Sequence, residues 1–257
     1  MSISISYGIQ KGGVGKSTSS GITSFLLSRI GYKVLAVDLD SQGNLTQFLS
    51  GVEDPGDDYF DRTVLEAMLD EDATEYIDKL TDNLHLLPSN DFTARMPRVL
   101  FQRFRADAPL ALINCLEPVR DNYDFIILDL PPALSDQTIN GLVASDYVVV
   151  MFETSKFCYN AVPRFLELVE EVRIRYNEDL KVAGILRTLA DARRSDSKAF
   201  IELIEEDYPG LCFDTIIHRK AATGRLPVTR FENNSELKLA VEQYEVFLKE
   251  LLERVKG

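Results

Sequence analysis

A chain of 257 residues and 29.0 kDa, 45% hydrophobic and 27% charged, is long enough to bury a full core without disulfides or a structural metal. Its formal net charge of −13 at pH 7 and pI near 4.7 exclude a surface that is basic all over, so any nucleic-acid contact must use a local patch. No apolar run approaches the ~18 residues of a membrane span; no signal-like segment opens the chain, and Cys115, Cys158 and Cys212 lie far apart with no C-x-x-C pairing, so a cytoplasmic protein without disulfide framework or zinc site is expected.

Residues 3–9 form an apolar run that reads as a buried strand, and Gln10-Lys-Gly-Gly-Val-Gly-Lys-Ser-Thr18 follows at once, before a stretch able to be helical. This is a nucleotide phosphate cradle. Gly12, Gly13 and Gly15 let backbone N–H groups close around phosphates without Cβ obstruction, and Lys16 brings positive charge to the β/γ oxygens. Ser17 is placed to ligand Mg²⁺, and the helix opening here turns its positive dipole end and unpaired first-turn N–H groups toward the anion. The expected nucleotide contacts are Lys11, Gly12, Gly13, Val14, Gly15, Lys16, Ser17 and Thr18. Gln10 stands where the generic G-x-x-x-x-G-K-[ST] pattern has glycine, and a second lysine, Lys11, opens the loop.

The second strand, residues 33–38, delivers Asp38-Leu-Asp40-Ser-Gln-Gly-Asn44. Its two carboxylates are expected to face different ways, one turning toward the magnesium shell while the other positions the attacking water or packs inward. Asp40 is the water-orienting candidate, because Ser41, Gln42 and Gly43 let the loop after it move with the γ-phosphate; the alternative is that Asp40 and Asn44 only form a turn and a helix cap. Residues 52–82 gather Asp54, Asp57, Asp58, Asp70, Glu71 and Asp72 around Pro55 and Gly56, and read as a solvated acidic excursion rather than a second core. After the strand at 84–87, Arg95, Arg98, Arg103 and Arg105 with Phe101 and Phe104 read as an amphipathic helix with a solvated charged edge.

Residues 125–130 form an apolar strand that delivers one carboxylate, Asp129, the arrangement that holds a metal or its water beside a phosphate cradle; Pro131 and Pro132 stop the strand. Ser17, Asp40 and Asp129 make the expected metal set. Runs at 147–151, 182–186 and 211–217 complete seven strands whose continuous apolar character indicates an α/β fold: a doubly wound, mostly parallel sheet with helices on both faces. Ligands sit at the carboxyl ends of such strands, where the glycine loop, Asp38 with Asp40, and Asp129 all fall. A C-terminal stripe of Leu237, Ala240, Val241, Tyr244, Phe247, Leu248, Leu251 and Val255 is expected to pack against the sheet. With no repeat or low-complexity linker, residues 1–257 read as one domain.

Lys11-Gly-Gly-Val-Gly-Lys-Ser17, Asp38-Leu-Asp-Ser-Gln-Gly-Asn44 and Phe125-Ile-Ile-Leu-Asp-Leu-Pro-Pro132 resemble the deviant Walker A, A′ and Walker B motifs of the ParA/MinD ATPases, over nearly the whole chain. Asp191-Ala-Arg193 and Ile217-His-Arg219 are similar to the partition branch, ParA, which binds DNA non-specifically. The resemblance implies a P-loop ATPase that binds ATP and Mg²⁺ and forms a nucleotide-sandwiched homodimer in which Lys11 reaches the partner's phosphates. It further implies segregation of plasmid or chromosomal DNA in the cytoplasm, on the nucleoid and away from membranes, with release when a ParB-like centromere-binding protein stimulates hydrolysis. Lys11, Lys16 and Asp40 are then the catalytic set. Arg193, Arg194, Arg219, Lys220 and Arg225 are the expected DNA contacts, two weak patches that dimerisation would bring together.

Departures from the family pattern are Ser41 in place of proline, His218 where proline commonly precedes the arginine, and no amino-terminal helix-turn-helix region. A MinD-like membrane-associated positioning ATPase is the alternative, opposed by a tail whose Glu242, Glu245, Glu250 and Glu253 balance its lysines. An iron–sulfur reductase of the nitrogenase iron-protein type would need cluster cysteines in glycine-rich loops, which Cys115 and Cys158 do not occupy.

Overall fold

All seven apolar runs become strands of one sheet in the computed structural model, which describes residues 2–190, 195–219 and 235–256. In chain order the elements are β1 (Ile3–Gly8), α1 (Lys16–Arg29), β2 (Val34–Asp38), α2 (Asn44–Ser50), α3 (Pro55–Asp58), α4 (Val64–Asp70), β3 (Asp78–Lys79), β4 (Leu84–Leu87), α5 (Met96–Phe104), α6 (Ala111–Arg120) and β5 (Phe125–Asp129). They continue with α7 (Asp136–Val143), β6 (Tyr147–Glu153), α8 (Lys156–Arg175), β7 (Lys181–Ala190), α9 (Ser195–Asp207), β8 (Cys212–His218) and α10 (Ser235–Lys256). The sheet runs β3-β4-β2-β5-β1-β6-β7-β8, parallel throughout except where β3 pairs antiparallel with β4. β3 is two charged residues, too short to leave a period in the sequence.

Alternate residues of a strand point to opposite faces, and β1 shows which helices cover each. The Tyr7 hydroxyl donates to Thr23 Oγ1 of α1 at 2.9 Å, whereas a Cβ on Gly8 would stand 2.4 Å from Phe165 Cζ of α8. Being buried on both sides, the central strands are apolar at consecutive positions, as in Val34-Leu-Ala-Val37 and Phe125-Ile-Ile-Leu128. The C-terminal stripe closes the α1 face: Tyr244, Phe247, Leu248, Leu251 and Val255 are buried, and Tyr244 Oη lies 3.0 Å from Ser19 Oγ of α1. The side chains of Leu237 and Ala240 lie outside the described residues. No helix among the described residues is long and apolar enough to cross a membrane.

The acidic stretch is half what its composition suggests. Asp54, Asp57, Asp58, Asp70, Glu71 and Asp72 are exposed, but Val64, Leu65, Ala67 and Met68 of α4 are buried in the same hydrophobic cluster as the central strands. The acids mark the solvent edge of a segment whose other face is core. Cys115 and Cys158 are buried and Cys212 half-buried, all three as free thiols.

Gly8→Ala is expected to cost about 1–3 kcal/mol, because the new methyl meets a ring held inside the core. Gly12→Ala, where a Cβ meets nothing within 4 Å, should stay close to wild type. Urea unfolding of the two variants checks this, and equal midpoints would contradict the packing described.

Candidate nucleotide site

The loop between β1 and α1 owes its shape to two glycines. Gly13 (φ 74) and Gly15 (φ 85) sit in the left-handed region, where a Cβ is strained, and Gly15 is the N-cap of α1. No side chain caps that helix and its first turn carries no acid, so its leading N–H groups and dipole are left for an anion. Thr188, near the end of β7, donates to the Val14 carbonyl at 2.8 Å and ties the loop to the sheet. Gly12 has no such backbone demand. Gln10, Gly12 and Gly13 are exposed and Ser17 and Thr18 half-buried, so the whole predicted cradle from Lys11 to Thr18 is brought together at one sheet rim.

Lys16 is 6% exposed, and its Nζ donates to the Lys11 carbonyl at 2.9 Å. Burial pushes its ammonium pKa down, against the neighbouring charges of Asp129 and Asp40, which push it back up. Asp129 is fully buried, and neither carboxylate oxygen has a hydrogen-bond partner of good geometry among the described residues. Its pKa is raised well above the carboxylate range, first by burial and then by the charge of Asp38; Lys16 and the nearby Ser17 hydroxyl act in the other direction. That hydroxyl is close enough to lower the pKa without completing a hydrogen bond of good geometry.

Asp38 and Asp129 are register partners on β2 and β5, so they stand side by side on the face that Tyr7, in the same row, turns toward α1. Asp38 is fully committed: Thr46 N and Oγ1 each donate to Oδ2 at 2.8 Å, and Asp40 N donates to Oδ1 at 3.1 Å. Burial nonetheless raises its carboxyl to about 7. Asp40, 8% exposed, accepts from Gln42 N at 3.1 Å. The expectation that the pair would face different ways is corrected here. Positions i and i+2 of an extended chain share a face, and both carboxylates raise the pKa of Asp129 through their charge. Their difference lies in bonding: Asp38 is anchored to α2, and Asp40 begins the turn beyond the strand. Asn44 is not the cap of α2; Gly43, at φ 62, holds that position.

These groups fit a magnesium nucleotide. A buried carboxylate with no partner is costly unless a cation meets it, and Asp129 beside Ser17 is such a group. Among the described residues no three His, Cys, Asp or Glu could hold a metal by themselves, in keeping with Mg²⁺, which usually takes one or two protein ligands and completes its shell with phosphates and water.

Of the five cations expected to touch DNA, Arg193, Arg194, Lys220 and Arg225 lie outside the described residues. Arg219 is placed after β8, 61% exposed, with Nη2 3.8 Å from Glu153 Oε1. His218 is exposed and its backbone N–H donates to Gln243 Oε1 at 2.8 Å. Four residues at the site went unread in the sequence. Thr46, Glu153, Ser155 and Thr188 each hold a motif residue in place, and the only signal was an acid at the end of an apolar strand, Glu153.

Comparison with known proteins places the chain in a family. The AAA domain family matches residues 2–182. The sporulation initiation inhibitor protein Soj of Bacillus subtilis is 34% identical, over 85% of this chain and 85% of its own. The chromosome-partitioning ATPase Soj of Thermus thermophilus is 33% identical, over 85% and 82%. Among solved structures, cobyrinic acid a,c-diamide synthase from Mycobacterium smegmatis with bound ADP and magnesium superimposes with a TM-score of 0.84 at 29% identity, covering 100% of this chain and 96% of that one.

Thr46→Val preserves shape and removes the hydroxyl that donates to Asp38 and accepts from Ser89 N at 2.9 Å. It is expected to destabilise the chain by about 1–3 kcal/mol, because both buried partners lose a bond. A urea midpoint equal to wild type would show that these bonds contribute nothing net.

Proposed function

The chain belongs to the AAA domain family, among its ParA/MinD-type ATPases, and on that premise we propose that it is a ParA-like partition ATPase. In this reading it binds ATP with Mg²⁺, pairs into a homodimer around the nucleotide and holds DNA non-specifically in the cytoplasm, until a ParB-like centromere-binding protein stimulates hydrolysis and releases it. The observation that carries the reading is the buried, unpartnered carboxylate of Asp129 next to Lys16 and Ser17, at the mouth of an uncapped helix. The diamide synthase structure, which holds ADP and magnesium in the same fold, supports the magnesium nucleotide; the chromosome-partitioning ATPase Soj of Thermus thermophilus favours partition over the chemistry of a diamide synthase.

Bound Mg²⁺ would neutralise phosphate oxygens as charge moves to the leaving group. Ser17 and Asp129 would hold it, with Asp40 at the edge of its shell. The N–H groups of residues 12–18 would bind the phosphates, and Lys16 would exchange the Lys11 carbonyl for the β/γ oxygens. Asp40 would orient the water, since Asp38 is already saturated by Thr46 and the Asp40 N–H. Lys11 would complete the site from the other subunit, so an isolated chain should turn over slowly.

Duplex DNA at the Arg219 end of the sheet would meet an exposed guanidinium against a background of −13. A MinD-like membrane cycle is the weaker reading, since α10 spends its apolar stripe on the core.

Asp40→Ala should bind ATP and Mg²⁺ with near-normal affinity yet lose stimulated hydrolysis by at least about tenfold; phosphate release at the wild-type rate would make Asp40 structural. Sedimentation with duplex DNA and with anionic liposomes, each with and without ATP, tests the reading as a whole. ATP-dependent pelleting with DNA alone is expected, and pelleting with liposomes alone would reverse the choice between the two branches.

A further inference from the structure

Both loop lysines are engaged by the chain itself. Lys16 Nζ donates to the carbonyl of Lys11 at 2.9 Å, while Lys11 Nζ is ion-paired with Glu153 and donates to Ser155 Oγ at 2.9 Å. The partners of Lys11 are held by regular structure. Glu153 is the last residue of β6, register-paired with Thr188 of β7, and Ser155 is the N-cap of α8, accepting from Cys158 N at 3.4 Å. The lysine, by contrast, is a charge on a four-carbon stem at the start of a glycine loop. The side chains of Lys11 and Glu153 are 24% and 22% exposed, sheltered enough to escape full screening and wet enough to avoid the desolvation cost of a core pair.

We propose that Glu153 and Ser155 are positioning residues that hold Lys11 within its own subunit, and that nucleotide entry loosens this hold through Lys16. An ammonium already neutralised by Glu153 and bonded to Ser155 has less charge and fewer free N–H groups to give a phosphate on another molecule, so Glu153 competes with any action of Lys11 across a dimer. Phosphates arriving at the loop draw Lys16 Nζ away from the Lys11 carbonyl, and the backbone that aims Lys11 at Glu153 loses a hydrogen bond at that moment. Arg219, 3.8 Å from the other Glu153 oxygen, stays behind as counter-ion, so release does not strand the carboxylate. The inference rests on the reading of Lys11 as a residue that acts across the dimer. It adds an intrachain competitor that sets how readily the dimer forms.

The restraint is read directly from the reactivity of the Lys11 amine. Full-length wild type, Glu153→Gln, Ser155→Ala and Ser155→Thr are acetylated without nucleotide, and Lys11 labelling is measured by mass spectrometry against the exposed Lys33. Labelling of Lys11 should rise roughly two- to fivefold in Glu153→Gln, the weight of a partly exposed ion pair. It should rise less in Ser155→Ala and return toward wild type in Ser155→Thr, which keeps the hydroxyl. With ATP, half-maximal dimerisation of Glu153→Gln should move to lower protein concentration by a similar factor. Unchanged Lys11 labelling in Glu153→Gln overturns the proposal, and so does increased labelling with no shift in dimerisation where wild type does dimerise with ATP. A wild type that stays monomeric with ATP, while Glu153→Gln still unmasks Lys11, would sink the dimer reading and support the intrachain restraint.

Discussion

A lysine and three carboxylates brought to one rim of a sheet, most of them out of water, are the constraint on which the rest of the structure depends. Lys16, Asp38, Asp40 and Asp129 are at most 8% exposed, and Asp129 feels the charge of the other three. Such a group is expensive to bury, and the surrounding elements offset the cost one member at a time. Lys16 takes a backbone carbonyl, Asp38 takes α2 through Thr46, and Asp40 takes the turn that follows it. Asp129, with Lys16 and the Ser17 hydroxyl near it, has no hydrogen bond of good geometry among the described residues, and so defines where a divalent cation gains most.

The sheet order makes this convergence unavoidable. β1 lies between β5 and β6, and β2 lies beside β5, so the segments leaving β1, β2, β5 and β6 all emerge at one edge. Parallel register places Tyr7, Asp38 and Asp129 in one row. A one-residue slip of β2 or β5 would turn its carboxylate to the opposite face, into the apolar layer where Leu39 and Leu130 pack against Gly141 of α7. Site and core are therefore specified by the same register, and the continuous apolar runs that bury the strands also fix where their last residues point.

The loop lysines show how a site can be held ready without being rigid. Its glycines leave the backbone able to move, yet Thr188 and Ser155 tether it from β7 and α8. These tethers come from strand ends that the apolar pattern does not reveal. β6 continues two residues past its last aliphatic position and β7 runs to Ala190, because Phe152 pairs with Arg187 and Glu153 with Thr188. Arg187 remains inside a strand because Glu205 and the Phe213 carbonyl receive its charge, a tertiary arrangement that overrides its polarity.

The sequence by itself determined the doubly wound sheet, the phosphate cradle, the two acidic strand ends and the apolar stripe of α10, because each rests on local signals: runs of buried residues, glycine spacing and helical period. It misread what depends on contacts between distant segments. The acids of residues 52–82 concealed a helix that belongs to the core, since composition records charge and α4 hides its apolar side between charges. Only the tertiary structure decided that Asp38 is the carboxylate anchored to α2 while Asp40 is held by the turn that follows it, and that Lys11 meets Glu153 and Ser155, 142 and 144 residues away. Hydrogen bonds and ion pairs of that span leave no period in a sequence, because their partners are chosen by the order of strands in the sheet.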